Sequence, residues 1–137
     1  MTGIQDQHQT EMTGAAREAL RFINTTSVPV FLTGKAGTGK TTFLRNLANH
    51  THKNFIIVAP TGIAALNAGG VTIHSQFQLP FGMFIPDKDM PAEQLAGGNN
   101  YNQRLLARQS PLRDSRRQIL RSIDLLVIDE VSMLRAD

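Results

Sequence analysis

Cysteine is absent from the sequence, and no apolar run approaches the length of a membrane-spanning helix. A chain without cysteine has neither disulfides nor thiolate metal sites. A transmembrane helix needs about 20 consecutive apolar residues. The N-terminal stretch is polar and rich in glutamine, without the apolar core of a signal segment. These absences predict a soluble intracellular protein with no membrane partner.

Charge is also scarce. Charged residues make up 18% of the chain and hydrophobic residues 41%. This composition is that of an ordinary globular protein and does not indicate disorder. The net charge of +3 is by itself weak evidence for a polyanionic partner. The 137 residues are enough for one domain with a buried core.

Strand-like and helix-like patterns alternate along the chain. Short apolar runs predict buried parallel strands at residues 28–32, 55–59 and 125–128. Helical spacing or capping signals predict helices at residues 13–24, 41–48, 61–68 and 110–123. This alternation predicts an α/β fold with a parallel sheet flanked by helices. A polar tail over residues 1–12 and a long loop over residues 76–110, with short helical pieces, complete the expected organisation.

A glycine-rich loop follows the first predicted strand. Its glycines allow the backbone to curl so that N–H groups point inward at phosphate oxygens. In the Walker A pattern the lysine neutralises the β- and γ-phosphates, and the next hydroxyl binds Mg²⁺. A glycine turn with an unrelated lysine is disfavoured, because this loop joins a predicted strand to a predicted helix. The expected nucleotide-binding residues are Gly34, Gly37, Thr38, Gly39, Lys40, Thr41 and Thr42.

An acidic pair follows the last predicted strand. Asp129 and Glu130 come directly after four apolar residues, at the carboxyl end of a strand, where α/β folds place ligands. In this Walker B arrangement Asp129 would hold Mg²⁺ and Glu130 would orient and activate the attacking water. Alone, such a pair is more often a solvated turn, and the upstream loop favours the catalytic interpretation.

Three further features have both a structural and a functional interpretation. Thr61-Gly62 opens a predicted helix, so Thr61 is either a plain helix cap or part of an anion site. A lone histidine such as His74 is usually a hydrogen-bonded structural residue. The aromatic side chains of the long loop either stack on single-stranded bases or pack onto the core; they are Phe77, Phe81 and Phe84.

Arginines concentrate near the C-terminal end. Arg113, Arg117 and Arg121 are spaced four apart on a predicted helix and form one stripe. A solvated helix face is the default interpretation. A face that contacts phosphates is the alternative, and it would show as binding that weakens with salt.

Taken together, four ordered segments closely resemble the Pif1-like DNA helicases of superfamily 1. They match helicase motifs I, Ia, Ib and II of that family, from about residue 15 to the end of the chain. The segments are residues 31–42, 59–65, 69–75 and 128–133. Walker A and B alone would fit any P-loop ATPase.

The resemblance implies a RecA-like, three-layer P-loop fold over residues 13–137, the first motor domain of a helicase. It implies ATP and Mg²⁺ as cofactors and movement 5′ to 3′ on single-stranded DNA, with roles in DNA repair, recombination and telomere or genome maintenance. For four residues it favours the interpretation as DNA contacts: Thr61, Gly62, His74 and Phe77. Lys40 and Glu130 remain the expected catalytic residues. The compartment would be the bacterial cytoplasm or nucleoid, or the eukaryotic nucleus or mitochondrion.

Three departures from the family pattern carry expectations of their own. Arg17 stands where the family places an adenine-reading glutamine, so adenine selectivity is an open question. Gln76 stands where the family often has an aromatic residue, which predicts a lost packing contact. The motifs stop after motif II, so the second motor domain, with its arginine finger, is a missing partner, and the fold of the first is incomplete. An absent arginine finger costs about 10³–10⁵ in rate, which predicts weak or no activity for this chain alone.

Two other function classes stay open at this point. One is a stand-alone P-loop ATPase or nucleotide kinase, which the Thr72-Ile73-His74-Ser75 segment disfavours. The other is a non-catalytic module that binds nucleotide, single-stranded DNA or a partner. Phosphate release distinguishes the enzymes from the module.

Overall fold

The computed structural model describes residues 12–87, 89–91, 95, 100–109 and 112–135. The predicted polar tail, apart from residue 12, lies outside these residues, as does the predicted Ser110-Pro111 helix start. The chain divides into two compact units, Met1–His52 and Lys53–Asp137. Among the described residues, no helix has the length and apolar character needed to cross a membrane.

The first unit contains two helices in the predicted places. Helix α1 spans Gly14–Thr25, and the Thr13 side chain caps it by accepting a hydrogen bond from the Ala16 N–H. Helix α2 spans Lys40–Asn46 and continues into a 3-10 turn, Leu47–Asn49. Both helices therefore confirm the sequence prediction. Their burial differs, because Leu47 at the end of α2 is almost fully buried, whereas most of α1 is exposed.

On the exposed side of α1, Glu18 and Arg21 form an ion pair with 2.5 Å between Oε1 and Nη2. The hydrogen bond from Arg21 lowers the pKa of the Glu18 carboxyl. Both side chains are largely solvated, so this pair adds little to stability.

The predicted strand at residues 28–32 is not formed. The structure assigns no strand there, and Val28 and Phe31 are 62% and 76% exposed. A buried strand needs a hydrogen-bonded neighbour and cover on both faces. Neither sheet among the described residues includes this segment. The apolar run therefore predicted the wrong local structure, because hydrophobicity does not supply a pairing partner.

The second unit is built on a three-stranded parallel sheet. Strands β1 (Phe55–Ala59), β2 (Val71–Thr72) and β5 (Leu125–Ile128) lie in the order β2-β1-β5. The central strand β1 carries the core, since Val58 and Ala59 are fully buried. The predicted α/β class with a parallel sheet is therefore confirmed.

Helix α3 (Gly62–Ala68) connects β1 to β2 and confirms the predicted helix. Thr61 is its N-cap, with the side-chain oxygen accepting from the Ala64 N–H at 3.2 Å. The helix ends at Gly69, whose φ of 74° is left-handed and suits glycine. The next residue, Gly70, lies against the backbone of β1 at Ile57. Two adjacent glycines thus end the helix and let the chain approach the sheet closely.

The predicted long loop contains more regular structure than expected. Helix α4 (Ile73–Phe77) ends within it, and it includes the paired strands β3 (Met83–Phe84) and β4 (Asn100–Tyr101) and helix α5 (Gln103–Gln109). Buried Asn102 organises part of this region: its Nδ2 donates to the carbonyls of Asp87 and Met90, and its Oδ1 accepts from the Leu105 N–H. A polar side chain in a proline-containing stretch gave no sequence signal for this role.

Near the end of the chain, the start of one helix and the burial of one strand differ from expectation. Helix α6 spans Asp114–Arg121, with Arg113 as N-cap and no side-chain capping bond, so it begins later than the predicted residue 110. Strand β5 lies where predicted but is half-buried on one face only, with Leu126 45% exposed. It is the last strand of its sheet within the described residues, so its hydrogen-bonded neighbour there is β1 alone.

Candidate functional site

The glycine loop of the first unit has the backbone of a phosphate-binding loop. Gly37 and Gly39 have φ of 78° and 90°, which non-glycine residues adopt only with strain. Gly39 is also the N-cap of α2, so the loop passes directly into a helix. Thr38 closes the turn, because its N–H and its hydroxyl both donate to the Lys35 carbonyl, at 3.3 and 2.7 Å.

The Lys40 ammonium group is held inside this loop. It donates to the Gly34 carbonyl, to the Lys35 carbonyl at 2.9 Å and to the Thr38 hydroxyl at 3.4 Å. A close approach is also needed at Gly34, where a Cβ atom would lie 2.6 Å from the Thr38 hydroxyl. The loop therefore holds one positive charge, the Lys40 ammonium, on backbone carbonyl acceptors. Phosphate oxygens of a bound nucleotide can take the place of these carbonyls as acceptors.

A cavity of about 900 Å³ opens beside the loop within the first unit. Ligand sites for nucleotide-sized molecules have volumes of roughly 300–1,000 Å³. Its walls come from the loop, the first half of α1 and the 3-10 turn; the predicted site residues among them are Gly34, Thr38, Gly39, Lys40 and Thr42. Arg17 also lines it. The cavity thus joins the expected phosphate site to the residue that we aligned with the family's base-reading glutamine.

The acidic pair lies at the carboxyl end of β5. The Asp129 N–H donates to the Val58 carbonyl at 2.9 Å, which continues the pairing of β5 with β1. Glu130 has a left-handed φ of 53°, and its N–H donates to the Asp129 Oδ1 at 3.0 Å. Few non-glycine residues adopt this conformation, and those that do are concentrated at functional sites. The backbone thereby turns sharply and leaves Glu130 exposed.

The same sheet edge brings the two other motif segments together. Ala59 at the end of β1 pairs with Thr72 at the end of β2. Thr61 and His74 each follow these paired residues by two positions, so both lie at the edge that also carries Asp129. Thr61 and Thr72 act as helix caps through their side-chain oxygens. The structural interpretation of Thr61 is therefore observed, and it leaves Gly62 and His74 exposed or half-buried beside it.

The structure separates the three loop phenylalanines. Phe84 packs edge-on against Tyr101, with ring centroids 5.8 Å apart, so it has a packing role. Phe77 is half-buried at the end of α4. Phe81 is 81% exposed and its ring stacks on His74, with centroids 5.2 Å apart and planes 6° from parallel. The three residues are the same amino acid in one stretch of sequence, so the sequence did not distinguish their environments.

Sequence reasoning missed a polar connection between α4 and α6. Gln76 is only 4% exposed, and its Oε1 accepts from the Arg116 guanidinium at 3.3 Å. Gln78, in a left-handed conformation, accepts from the Arg113 N–H at 3.2 Å. The buried Gln76 amide oxygen is therefore hydrogen-bonded to the helix that precedes β5, and the packing contact predicted to be lost at this position stays a prediction.

The predicted arginine stripe is solvent-exposed. Arg113, Arg117 and Arg121 are all exposed, as the default interpretation required. Arg116 is the half-buried exception on the same helix, because it turns towards Gln76.

Replacing Arg116 with alanine is expected to destabilise the second unit. The Gln76 Nε2 already has no hydrogen-bond partner among the described residues, and the substitution would remove the donor to its Oε1. Leaving a buried polar group unpaired costs about 1–3 kcal/mol. A urea titration followed by circular dichroism measures the loss, with Arg117→Ala on the same helix as the matched control, expected within about 0.5 kcal/mol of the parent. Equal stability of the two variants would contradict this role for Arg116.

Comparison with known proteins shows which family has this sequence. The family model described as PIF1-like helicase matches residues 6–137. The chain belongs to this family. It is 34% identical over 115 residues to the ATP-dependent DNA helicase PIF1 of Saccharomyces cerevisiae, a match that covers 79% of the chain and 11% of that protein. It is 31% identical over 135 residues to the ATP-dependent DNA helicase Pif1 of Bdellovibrio bacteriovorus, covering 98% of the chain and 27% of that protein.

Solved Pif1 structures share the fold. The Bacteroides Pif1 helicase in complex with ADP-AlF3 and single-stranded DNA superposes with a TM-score of 0.71, at 39% identity, over 92% of the chain and 25% of that protein. The Bacteroides Pif1 bound to single-stranded DNA gives a TM-score of 0.69, at 39% identity, over 90% of the chain and 24% of that protein. These likenesses confirm the expected RecA-like fold and its family. The chain spans between 11% and 27% of the two curated relatives named here.

Proposed function

We propose that this chain is the ATP-binding portion of the first motor domain of a 5′ to 3′ DNA helicase. The observation that carries the proposal is the Lys40 ammonium held inside the glycine loop, beside a cavity of nucleotide size, in a chain that matches the helicase family model almost throughout. ATP would place its phosphates in the loop, where its oxygens replace the carbonyl partners of Lys40.

Mg²⁺ is proposed as the companion of the nucleotide. The described residues contain no cluster of three or more His, Cys, Asp or Glu side chains able to hold a metal ion. Mg²⁺ commonly binds through one or two protein oxygens together with waters and substrate phosphates. The Thr41 hydroxyl and the Asp129 carboxylate are hard oxygen donors of this kind. When bound, the ion would neutralise charge on the β- and γ-phosphates.

Glu130 is the proposed residue for orienting water. In this reaction a water oxygen attacks the γ-phosphorus as the bond to the β,γ-bridging oxygen breaks, giving ADP and phosphate. The Glu130 carboxylate would accept a hydrogen bond from that water and direct its lone pair. Lys40 would stabilise the charge that develops on the phosphate oxygens. An arginine finger from a second motor domain would raise the rate by about 10³–10⁵, so hydrolysis by residues 1–137 assayed on their own is expected to be slow.

Single-stranded DNA is the proposed polymer ligand. The sheet edge of the second unit carries Thr61, Gly62 and His74 at the ends of two paired strands, and Phe77 ends the short helix that follows. The related Bacteroides Pif1 has been solved with single-stranded DNA bound to it. A row of motif residues along one edge is suited to follow a strand of nucleic acid.

A thermal-shift series with a phosphate assay tests the nucleotide proposal. ADP and ATP with Mg²⁺ should raise the melting temperature, and above the Kd the shift should grow with the logarithm of ligand concentration, because a ligand at 100 times its Kd adds about 2.7 kcal/mol. Slow release of phosphate from ATP is expected. Stabilisation with no phosphate released above the buffer rate would favour the non-catalytic binding module instead. The absence of any nucleotide-dependent stabilisation would contradict the proposal.

Anisotropy of a labelled oligothymidylate tests the DNA proposal. Binding to the 137-residue chain should weaken steadily as salt rises from about 50 to 200 mM, because contacts with phosphates release counterions. Duplex DNA of the same length is the control ligand and should bind less well. Binding that is absent, or insensitive to salt, would remove single-stranded DNA from the proposed function.

A further inference from the structure

The Phe81 ring has one face covered and the other open. Its stacking partner is His74, with nearly parallel rings whose centroids are 5.2 Å apart. The residue is nevertheless 81% exposed, so solvent reaches the face opposite the imidazole. A supported aromatic ring with one open face is the geometry of a stacking platform for planar ligands.

The turn that carries Phe81 is anchored. It begins at Gln78, which has a left-handed φ of 53°, and the Leu79 N–H donates to the His74 carbonyl at 2.9 Å. Pro80 has a restricted φ immediately before the phenylalanine. These constraints lower the conformational entropy that the ring would lose on binding.

The surroundings of Phe81 fit an anionic, base-bearing ligand. His74 follows β2 at the sheet edge that also carries Thr61 and Gly62. The Arg113 backbone N–H bonds to the Gln78 side chain, so the N-terminal end of α6, with Arg113, Asp114 and Arg117, lies beside the same turn. Arg113 and Arg117 form no ion pair within the described part of the chain. Positive charge for phosphates and an open ring for a base therefore occur together.

We propose that Phe81 stacks on a base of single-stranded DNA and that His74 is the positioning residue that holds the ring. This inference rests on the proposed function for its ligand. It assigns the stacking contact to Phe81 where the family resemblance favoured Phe77, and it gives His74 a positioning role where the resemblance favoured direct DNA contact. Every base has a flat π face, so one aromatic platform binds DNA without selecting its sequence.

Phe81→Trp provides a direct readout, because the chain contains no tryptophan and the new indole would be its sole fluorophore of that kind. Titration with an oligothymidylate of about 12 nucleotides should quench the indole emission, with a Kd equal to that from anisotropy. Leu66→Trp is the matched control, since Leu66 is 79% exposed in the same unit and lies near the end of α3, which runs back from the sheet edge that carries Thr61. Its emission should not change.

Affinity measurements separate stacking from general hydrophobic contact. Phe81→Ala should weaken binding of the oligothymidylate by roughly 5- to 150-fold, the effect of losing one stacked base. Phe81→Tyr should retain affinity, whereas Phe81→Leu should not restore it. Because Phe81 is exposed, these variants should keep the parent melting temperature. Equal binding by the leucine and tyrosine variants would overturn stacking.

A double-mutant cycle tests the positioning role of His74. If His74 acts through the ring, His74→Ala combined with Phe81→Ala should lose no more affinity than Phe81→Ala alone. Additive losses would show an independent DNA contact and overturn the positioning role.

The outcomes distinguish this inference from the proposed function. If the parent chain binds no single-stranded DNA, both fail. If the parent binds, two results together overturn the stacking inference alone: unchanged affinity of the Phe81→Ala chain, and indole emission of the Phe81→Trp chain that the oligothymidylate does not quench.

Discussion

Replacing Gly70 with alanine is expected to disrupt the sheet of the second unit. A Cβ atom at this position would lie 2.2 Å from the Ile57 carbonyl oxygen, 2.7 Å from its carbonyl carbon and 2.9 Å from its Cβ. Ile57 belongs to the central strand, which is hydrogen-bonded on both sides. Neither the strand nor the incoming chain can move away without breaking those pairings.

The loss in the free energy of unfolding should be among the largest that adding a single methyl group can cause in this chain. Overpacking against a flexible side chain costs about 1–3 kcal/mol, and contact with fixed backbone exceeds that range. The Gly70 N–H also donates to the Ala65 carbonyl at 2.8 Å, so a shift would open the end of α3. We expect a loss of at least about 3 kcal/mol in the free energy of unfolding.

Chemical unfolding followed by circular dichroism measures this loss. Gly62→Ala is the matched control, because it lies in the same unit at the start of α3 and a Cβ there meets nothing within 4 Å. The control should stay within about 0.5 kcal/mol of the parent. If Gly70→Ala unfolded at the same denaturant concentration as Gly62→Ala, the close approach of Gly70 to β1 would be wrong.

Replacing Lys40 with alanine is expected to weaken nucleotide binding strongly. The substitution deletes the ammonium group that the loop holds between the Lys35 carbonyl and the Thr38 hydroxyl. One charge-assisted hydrogen bond contributes about 1.5–3 kcal/mol. Affinity for ADP or ATP should therefore fall by at least roughly 10- to 100-fold, and any release of phosphate should stop.

Lys35→Ala is the control for charge, because it removes a lysine from the same loop whose side chain does not line the cavity. Calorimetric titration of nucleotide into the parent and the two variants compares them directly. The Thr38 turn keeps its own bonds to the Lys35 carbonyl in the Lys40→Ala chain, so an unchanged melting temperature without nucleotide is expected and should be checked beside the titration. Equal affinity of the Lys40→Ala and Lys35→Ala chains would contradict the assigned role of Lys40.

Local sequence determined the elements that have strong local signals. Glycines at positions 37 and 39 predicted a loop that needs positive φ, and both adopt it. Thr61 predicted a helix cap and forms one. The apolar run 55–59 became the central strand, and its three consecutive β-branched residues, Ile56, Ile57 and Val58, favour that conformation. The order of the four motifs predicted the helicase family, and the family model confirmed it.

Tertiary structure alone decided the features that depend on a partner distant in sequence. The run at residues 28–32 is as apolar as a strand but is paired with neither described sheet, and pairing cannot be read from one segment. The register of β1 with β2 and β5 aligned the ends of three segments at one edge. The bond between Gln76 and Arg116 spans 40 positions, and no local pattern indicated it.

The loop phenylalanines show most clearly the difference between what the sequence determined and what the tertiary structure decided. Their sequence surroundings predicted stacking or packing equally well for all three. The fold placed Phe84 against Tyr101 and left Phe81 on His74 with an open face. Chemistry of the side chain is a property of the sequence, whereas exposure depends on which distant residues cover it. The phosphate loop could therefore be predicted from residues 34–42 alone, and the proposed base platform could not.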